Sequence, residues 1–317
     1  MRTASIFLFI FLFSVFPVNA QEEDGQSLTR PLLLQSYEPN TVGFTWDDND
    51  VRYLDFKLSQ MYPISHNGKF KTREEQGYRT YPYFTFTGRF GMYLDKRDSS
   101  PVIGKRFNPT LIFRRWLGSR ENYLDVGYAH ESNGQRINTL QSFQQLSSEF
   151  AANGENPEFA RDYISRGWDY WELSWRYSRD GDNEKLSTYL KLKYFLNKGF
   201  LQGISEEYNE WENDTDGKKR KYVDGVTLLA KKVWDYDYRL LGKVKSAVEY
   251  TTGYKDVAEY NTYRLELTFA FRNIMGLHNL PIMVWGSRGY NSDLVDYYKD
   301  VNSWGISLEM RNYLDQI

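Results

Sequence analysis

LDVGYAHESNG, residues 124–134, shows the two-residue alternation of side chains that is typical of a β-strand. Side chains two residues apart on a β-strand share one face, so an apolar row runs from Leu124 to Tyr128. That row ends in His130 and Ser132. An ordinary soluble strand would bury such a row in its core, whereas a lipid-facing strand needs a reason to end it with a base and a nucleophile.

Alternating segments bounded by turn residues recur along the whole chain. Twelve of them predict strands, at residues 41–46, 52–62, 81–94, 108–117, 121–130, 168–179, 188–196, 221–232, 237–251, 260–272, 280–290 and 302–313. An even number of strands of about ten residues each is typical of bacterial outer-membrane proteins. The sequence therefore predicts an all-β fold, a twelve-stranded antiparallel transmembrane β-barrel built as one domain.

The composition fits this fold. Aromatic residues make up 17% of the chain, yet the mean hydropathy is negative; a membrane barrel has this mixture because only every second strand residue meets lipid. A soluble all-β protein can be equally aromatic. The absence of Cys excludes disulfides and thiolate zinc sites. The formal charge of -2 gives no electrostatic case for nucleic acid as a partner.

The first twenty residues, MRTASIFLFIFLFSVFPVNA, have the layout of a secretory signal peptide. A basic Arg2 precedes an apolar run at residues 6–16, which is too short for a membrane-spanning helix. We therefore expect residues 1–20 to be removed and the mature barrel domain to be residues 21–317. No later segment has the roughly 20 continuous apolar residues that a spanning helix needs, so strands must provide any membrane embedding.

The lengths of the connections predict an orientation. With the mature N-terminus in the periplasm, the three longest outer connections are residues 95–107, 131–167 and 197–220. Long outer loops and short periplasmic turns are the usual asymmetry of these barrels. The stretch 63–80, long on the periplasmic side, is an exception. This orientation places His130 and Ser132 at the outer end of the fifth strand.

The sixth strand opens at the same outer end with the segment 164–169, ISRGWD. Asp169 shares a face with Trp171, so it is predicted to point at lipid beside His130 and Ser132. Polar residues on the lipid face carry a free-energy cost that depends on depth. Three of them gathered at one place indicate a function.

These residue types fit nucleophilic acyl transfer. An imidazole can take the proton of the Ser132 hydroxyl, and a third group, Asp169, can orient the His130 ring and stabilise its charged form. Main-chain N–H groups around Asn133 and Gly134 can stabilise an oxyanion, since glycine permits the required turn. A site on the outside of a barrel meets lipid, so the ester would belong to a membrane phospholipid.

The motifs resemble those of the outer-membrane phospholipase A family. The family motif GY-x-H-x-SNG is matched by residues 127–134, and the family segment SR-S-WN is similar to residues 165–169. Weaker likenesses lie at 99–101 with 107–109 and from 289 to 306, so the resemblance covers most of the mature chain. It implies a twelve-stranded outer-membrane barrel that hydrolyses phospholipid acyl esters. In it Ser132 is the nucleophile, His130 the base and Gly134 an oxyanion donor.

The resemblance also implies calcium as cofactor and activation by dimerisation. The calcium ligands would be the main-chain oxygen of Gln135, Ser165, and Ser99 of the partner subunit. Calcium accepts hydroxyl and carbonyl oxygens together with water, so these residue types are acceptable ligands. The orientation inferred from loop lengths also places Ser99 on an outer loop.

This chain departs from the family pattern in two places. Asp169 stands where the family usually has Asn; Asp is the common partner of His in serine hydrolases, so we expect activity to survive with a changed pH dependence. The second departure is the insertion at residues 136–164. It can cover the site, select lipids or be a tolerated surface loop, and we favour the last.

Each residue also has a purely structural interpretation. His130 can belong to an interfacial aromatic girdle, Ser132 and Ser165 can terminate turns, and Asp169 can cap a loop. The basic run 216–221 is expected to be a solvated outer loop. The alternative function is a non-catalytic barrel, either porin-like or an inactive relative. A porin needs an open polar lumen and has no use for a lipid-facing His and Ser.

Overall fold

The structure, a computed structural model, describes residues 35–48, 52–64, 80–94, 102–117, 121–204, 218–236, 238–272, 274 and 280–310. The predicted signal peptide, Ser99 and most of the stretch 63–80 lie outside these residues. Within the described ranges, no helix is long and apolar enough to cross a membrane.

In the described chain, twelve strands close into one antiparallel barrel and two short strands form a separate hairpin. The barrel strands are β1 (Asn40–Asp47), β2 (Arg52–Pro63), β3 (Thr80–Tyr93), β4 (Ile103–Trp116), β5 (Tyr123–Ser132), β6 (Gly167–Asp180), β7 (Glu184–Phe195), β10 (Gly225–Asp235), β11 (Leu241–Gly253), β12 (Thr262–Phe271), β13 (Leu280–Gly289) and β14 (Val301–Met310). The hairpin consists of β8 (Lys198–Gly199) and β9 (Gly203–Ile204). Pairing of β7 with β10 and of β1 with β14 completes the ring.

The two faces of the barrel wall differ in polarity. Outward positions expose large apolar side chains on every strand, among them Phe44, Leu58, Phe84, Leu111, Val126, Leu173, Leu192, Leu228, Val248, Leu265, Val284 and Ile306. Such a wall suits contact with lipid, because apolar surface of this extent is unfavourable in water. The fold predicted from the sequence, a twelve-stranded antiparallel transmembrane barrel, is confirmed.

Charged side chains in ion pairs occupy the barrel interior. Arg114 donates to Asp125 at 2.7 Å with both side chains buried, and Lys191 lies 3.2 Å from Glu172. Lys245 of β11 pairs with Glu309 of β14, and both side chains are buried. Buried charges are tolerated only when paired. These pairs occupy the space through which a pore would run.

The end of the barrel that carries the β5–β6, β7–β10 and β13–β14 connections, hereafter the site end, is closed by a core of its own. Its buried members include Trp168, Val223, Leu294 and Tyr297. Val223 lies in a single helical turn, α2 (Arg220–Val223), which precedes β10. The eighth strand was predicted to begin at residue 221, whereas the observed strand, β10, begins at Gly225.

The expectation that residues 216–221 form a solvated loop is wrong for Arg220, whose side chain has no exposed surface. Other strand starts also differ from prediction: β4 begins before residue 108 and β7 before residue 188. In β7 the earlier start follows from pairing across the sheet, since Glu184 lies opposite Trp234. Polar residues at strand ends break the alternation without ending the ladder.

The insertion 136–164 is ordered into two helices. They are α1 (Leu140–Ala152), capped by the side chain of Thr139, and a 3₁₀ helix (Pro157–Tyr163). Phe150 packs against Phe159 with ring centroids 6.2 Å apart. A bridge between the buried Ile137 and Ile164 closes the base of the insertion. The sequence favoured a tolerated surface loop at this place, and the structure shows two helices whose base is closed by a β-bridge.

Candidate active site

The ends of β5 and β6 bring together the residues that the sequence singles out. His130 lies directly opposite Asp169 in the antiparallel ladder, and Ser132 lies opposite Gly167. Side chains of directly opposed residues are the closest pairs on one face of a sheet. The period of two puts His130, Ser132 and Asp169 on the outward face, while Glu131 is buried on the luminal face.

The imidazole of His130 contacts the carboxylate of Asp169. Nδ1 of His130 lies 2.6 Å from Oδ1 of Asp169. An ionised carboxylate only accepts hydrogen bonds, so the ring proton belongs on Nδ1 and Nε2 is left free to accept a proton. This is the tautomer that a general base beside a serine requires.

Ser132 lies next to this pair without being hydrogen-bonded to it. Within the described residues, the Ser132 hydroxyl makes no hydrogen bond to His130. Gly167 leaves the neighbouring space open, since a Cβ there would lie 3.5 Å from Ser132 Cβ and 3.6 Å from His130 Cε1. Catalytic hydrogen bonds are often loose without substrate and tighten when it binds. The arrangement is therefore compatible with proton transfer from Ser132 to His130.

The side chain of Asp169 points outward from the barrel wall, as predicted, but it is not exposed to lipid. Its side chain is 1% exposed because the β8–β9 hairpin covers it. Oδ2 of Asp169 accepts hydrogen bonds from the Tyr128 hydroxyl at 2.7 Å and from the main-chain N–H groups of Leu201 at 2.7 Å and Gln202 at 3.1 Å. Burial of this carboxylate is thus compensated by hydrogen bonds.

The main chain of His130 is held by an unusual contact from β4. Phe107 pairs with Ser132 and Thr110 with Ala129, so Pro109 stands across from His130. Proline has no N–H to donate to the ladder. The side chain of Asn108 supplies the missing donor, with Nδ2 lying 2.9 Å from the His130 carbonyl oxygen.

The turn after Ser132 presents the main-chain N–H of Gly134. Gly134 has φ of +61°, a left-handed conformation that favours glycine. Among the described residues its N–H has no hydrogen-bond acceptor, which suits an oxyanion donor. The donor role expected of the Asn133 main chain is wrong, because that N–H is donated to the Arg166 carbonyl oxygen at 3.1 Å.

The side chain of Asn133 joins the two sequence motifs. Its Oδ1 accepts from the N–H groups of Gln135 at 3.2 Å and Arg166 at 2.9 Å, and its Nδ2 donates to the Ile164 carbonyl oxygen at 2.8 Å. This buried carboxamide therefore holds Gln135 directly and holds the residues on both sides of Ser165, the other calcium ligand that the resemblance implies within this subunit.

Residues held by the Asn133 carboxamide offer neutral oxygen donors that fit calcium. The main-chain oxygen of Gln135 and the hydroxyl of Ser165 are of the kind that calcium accepts. In the part of the chain that the structure describes, no group of three His, Cys, Asp or Glu side chains is placed to hold a metal ion. A calcium ion here would depend on water and on further oxygens, and the implied ligand Ser99 lies outside the described residues.

Replacing Asn133 by alanine should destabilise the barrel end. The substitution leaves two N–H groups and one carbonyl oxygen near a buried position without their partner, at about 1–3 kcal/mol for each unsatisfied buried group. We expect the free energy of unfolding in urea and detergent to fall by about 2–4 kcal/mol. Asn153→Ala, at an exposed site, is the matched control. Equal unfolding midpoints for the two variants would contradict a stabilising role of the Asn133 carboxamide.

Behind the candidate site, on the luminal face, Arg220 contacts both β5 and β6. Its guanidinium donates to Glu131 of β5 at 2.6 Å and lies 5.3 Å from the ring centre of Trp168 on β6. It also donates to Asp224 at 2.8 Å. Burial alone would raise the pKa of the Asp224 carboxyl, but Lys193 and Arg220 lower it well below its usual range.

Several residues of this arrangement were not predicted. The side-chain contacts of Tyr128, Asn108 and Asn133 were not foreseen, although all three residues lie within or beside the quoted motifs. Asn108 had a local signal, because a proline follows it in a predicted strand. The hairpin at 198–204 had only a weak signal, the glycines at its two ends.

The barrel is similar to solved structures of one family. Outer membrane phospholipase A from Escherichia coli has 15% sequence identity and a TM-score of 0.58, over 90% of this chain and 95% of that chain. The enzyme from Salmonella typhi, solved as a dimer with bound calcium, has 15% identity and a TM-score of 0.57, over 90% of this chain and 94% of that chain. No protein-family model and no curated protein matches the chain. The predicted resemblance is confirmed for the fold.

Proposed function

We propose that this chain is a calcium-dependent phospholipase A of the outer membrane, a serine hydrolase that cleaves the acyl ester bonds of glycerophospholipids. The observation that carries the proposal is the His130–Asp169 contact of 2.6 Å beside Ser132, all on the outward face of the barrel. A lipid-facing wall has no structural need for this combination. The residues match the chemistry of acyl transfer, and phospholipid is the ester-bearing molecule that this wall meets.

The residues divide the reaction between them. The Ser132 oxygen attacks the ester carbonyl while its proton passes to Nε2 of His130. Asp169 holds the imidazole and stabilises its charged form, and the N–H of Gly134 donates to the developing oxyanion. The protonated His130 then returns the proton to the departing glycerol oxygen. Water, activated by the same imidazole, releases the fatty acid from Ser132.

Calcium and a second subunit belong to the proposal. Gln135 and Ser165, with Ser99 of the partner subunit, would hold the ion, which supplies positive charge to polarise the ester carbonyl. The Salmonella typhi enzyme of similar fold is a dimer with bound calcium, and we extend both features to this chain. Residues 1–20 would be the signal peptide that directs it to the outer membrane.

The porin-like alternative has less support. The ion pairs Arg114–Asp125, Lys191–Glu172 and Lys245–Glu309 occupy the interior, and the side chains around Tyr297 close the site end. An aqueous channel requires that space. An inactive relative with the same fold is the remaining alternative. Fatty-acid release in an activity measurement would exclude it, and no release would support it.

The proposal is tested by refolding residues 21–317 in detergent and measuring fatty-acid release from phospholipid micelles. With millimolar calcium we expect release, and with excess chelator we expect it to fall by at least about 100-fold, because charge stabilisation of this kind contributes several kcal/mol to the transition state. Magnesium in place of calcium is the control for ionic strength. No release from a folded, dimeric barrel would refute the enzyme, and release unaffected by chelator would refute the cofactor.

A further inference from the structure

We infer that the β8–β9 hairpin is a positioning element that favours a carboxylate over an amide at residue 169 and thereby determines which ring nitrogen of His130 carries the proton. This inference rests on the proposed function. The hairpin loop, residues 200–202, turns its main-chain N–H groups toward the site and its apolar side chains away. Phe200 is 89% exposed and Leu201 57% exposed. The contribution of this hairpin to the site is therefore its backbone.

The hairpin and Tyr128 together aim three donors at one oxygen atom. Oδ2 of Asp169 accepts from the N–H groups of Leu201 and Gln202 and from the Tyr128 hydroxyl. The Phe200 N–H donates to the Tyr128 oxygen at 2.6 Å, which leaves the hydroxyl proton directed at the carboxylate. An ionised carboxylate has about four acceptor sites on two oxygens, so it satisfies all these donors and still accepts from His130.

An amide at residue 169 cannot satisfy the same surroundings. With its oxygen toward the hairpin, its NH₂ group faces Nδ1 of His130, which must then accept and carry its proton on Nε2. That tautomer cannot take the proton of Ser132. With its oxygen toward His130, the NH₂ group faces the three hydrogen-bond donors that now point at Oδ2. Either orientation carries a cost that Asp169 avoids, so this chain departs from the family's usual Asn for a reason visible in its own structure.

A glycine permits the close approach of the hairpin. A Cβ atom at Gly199 would lie 2.0 Å from Oδ2 and 2.4 Å from Cβ of Asp169, so any other residue pushes the hairpin off the carboxylate. We therefore expect Gly199→Ala to lower activity although residue 199 carries no reactive group. Asn197→Ala, which changes an exposed side chain just before the hairpin, is the matched control, with activity within about 2-fold of wild type.

The decisive variant is Asp169→Asn, in the full mature chain with His66 and His278 replaced by Gln so that His130 alone reports. Nitrogen-15 NMR of labelled histidine in detergent reads the tautomer directly. We expect the Nδ1–H form with Asp169, the Nε2–H form with Asn, and a loss of activity on the order of 10²–10⁴-fold. Deleting residues 198–204 from the Asn variant should restore the Nδ1–H form and recover activity by about 10-fold or more.

If the chain without residues 198–204 does not fold, Leu201→Pro in the Asp169→Asn variant is measured instead, because it removes a single N–H of the hairpin. Retention of the Nδ1–H tautomer in Asp169→Asn, with the hairpin intact, overturns the inference. So does a tautomer that stays Nε2–H after the hairpin donors have been removed. The NMR signal requires no hydrolysis, so an inactive wild-type barrel would refute the proposed function and leave this test readable.

Discussion

Replacing Ser132 by alanine is expected to abolish calcium-dependent fatty-acid release, with a fall of about 10³-fold or more. The hydroxyl is the only group in the proposed site that forms the covalent acyl intermediate. His130→Ala should cause a loss of similar size, because members of a catalytic unit act together and their losses do not add. Both variants are measured in the micelle assay, at equal concentrations of folded dimer.

The matched control for this prediction is Ser148→Ala on α1, where the serine is exposed and bonds only to the Gln144 carbonyl oxygen at 2.8 Å. Its activity should equal that of the wild type. A fluorophosphonate probe provides a second readout, because it labels an activated serine covalently. Undiminished release or labelling in a folded Ser132→Ala barrel would exclude this serine as the nucleophile.

Replacing Arg220 by methionine should cause a large loss of stability. Arg220 is fully buried and donates to Glu131 and Asp224, so its removal leaves two buried carboxylates with less positive charge. Breaking a buried ion pair in this way costs about 3–5 kcal/mol. Lys193, 2.9 Å from Asp224, keeps one carboxylate paired, so we expect the lower end of that range. Urea unfolding in detergent measures the change.

Two further variants separate charge from packing at this position. Glu131→Gln in the Arg220→Met background removes a carboxylate that has lost its closest partner and keeps only the longer contacts to Arg106 and Lys193, at 3.9 Å and 3.8 Å, so it should recover part of the lost free energy of unfolding. Lys299→Met is the surface control, since Lys299 pairs with Asp296 at 3.0 Å but is 44% exposed, and its loss should cost about 0–1 kcal/mol. Equal losses for Arg220→Met and Lys299→Met would show that the luminal pair is not what holds the site end.

Local alternation was sufficient for the barrel and for the outward row of the site. A period of two assigns each side chain to one face, and twelve such segments imply the ring of strands that β1 and β14 close. The same parity put His130, Ser132 and Asp169 on the outer face. It was wrong at the basic run around Arg220, which was expected to be solvated because charged side chains are usually exposed. One buried partner of Arg220, Asp224, is only four residues away in the chain, but the other, Glu131, is 89 residues away and is brought to it by the fold.

The antiparallel barrel, the face of each strand and the types of reactive group could be predicted from the sequence, because they depend on residues a few positions apart. The surroundings of Asp169 could not, because they depend on the tertiary structure. The hairpin at 198–204 lies about thirty residues beyond Asp169 in the chain, and its donors reach the carboxylate through a contact that no periodicity encodes. Hydrogen bonds of this kind depend on where two loops meet in space, and that is set by closure of the whole ring.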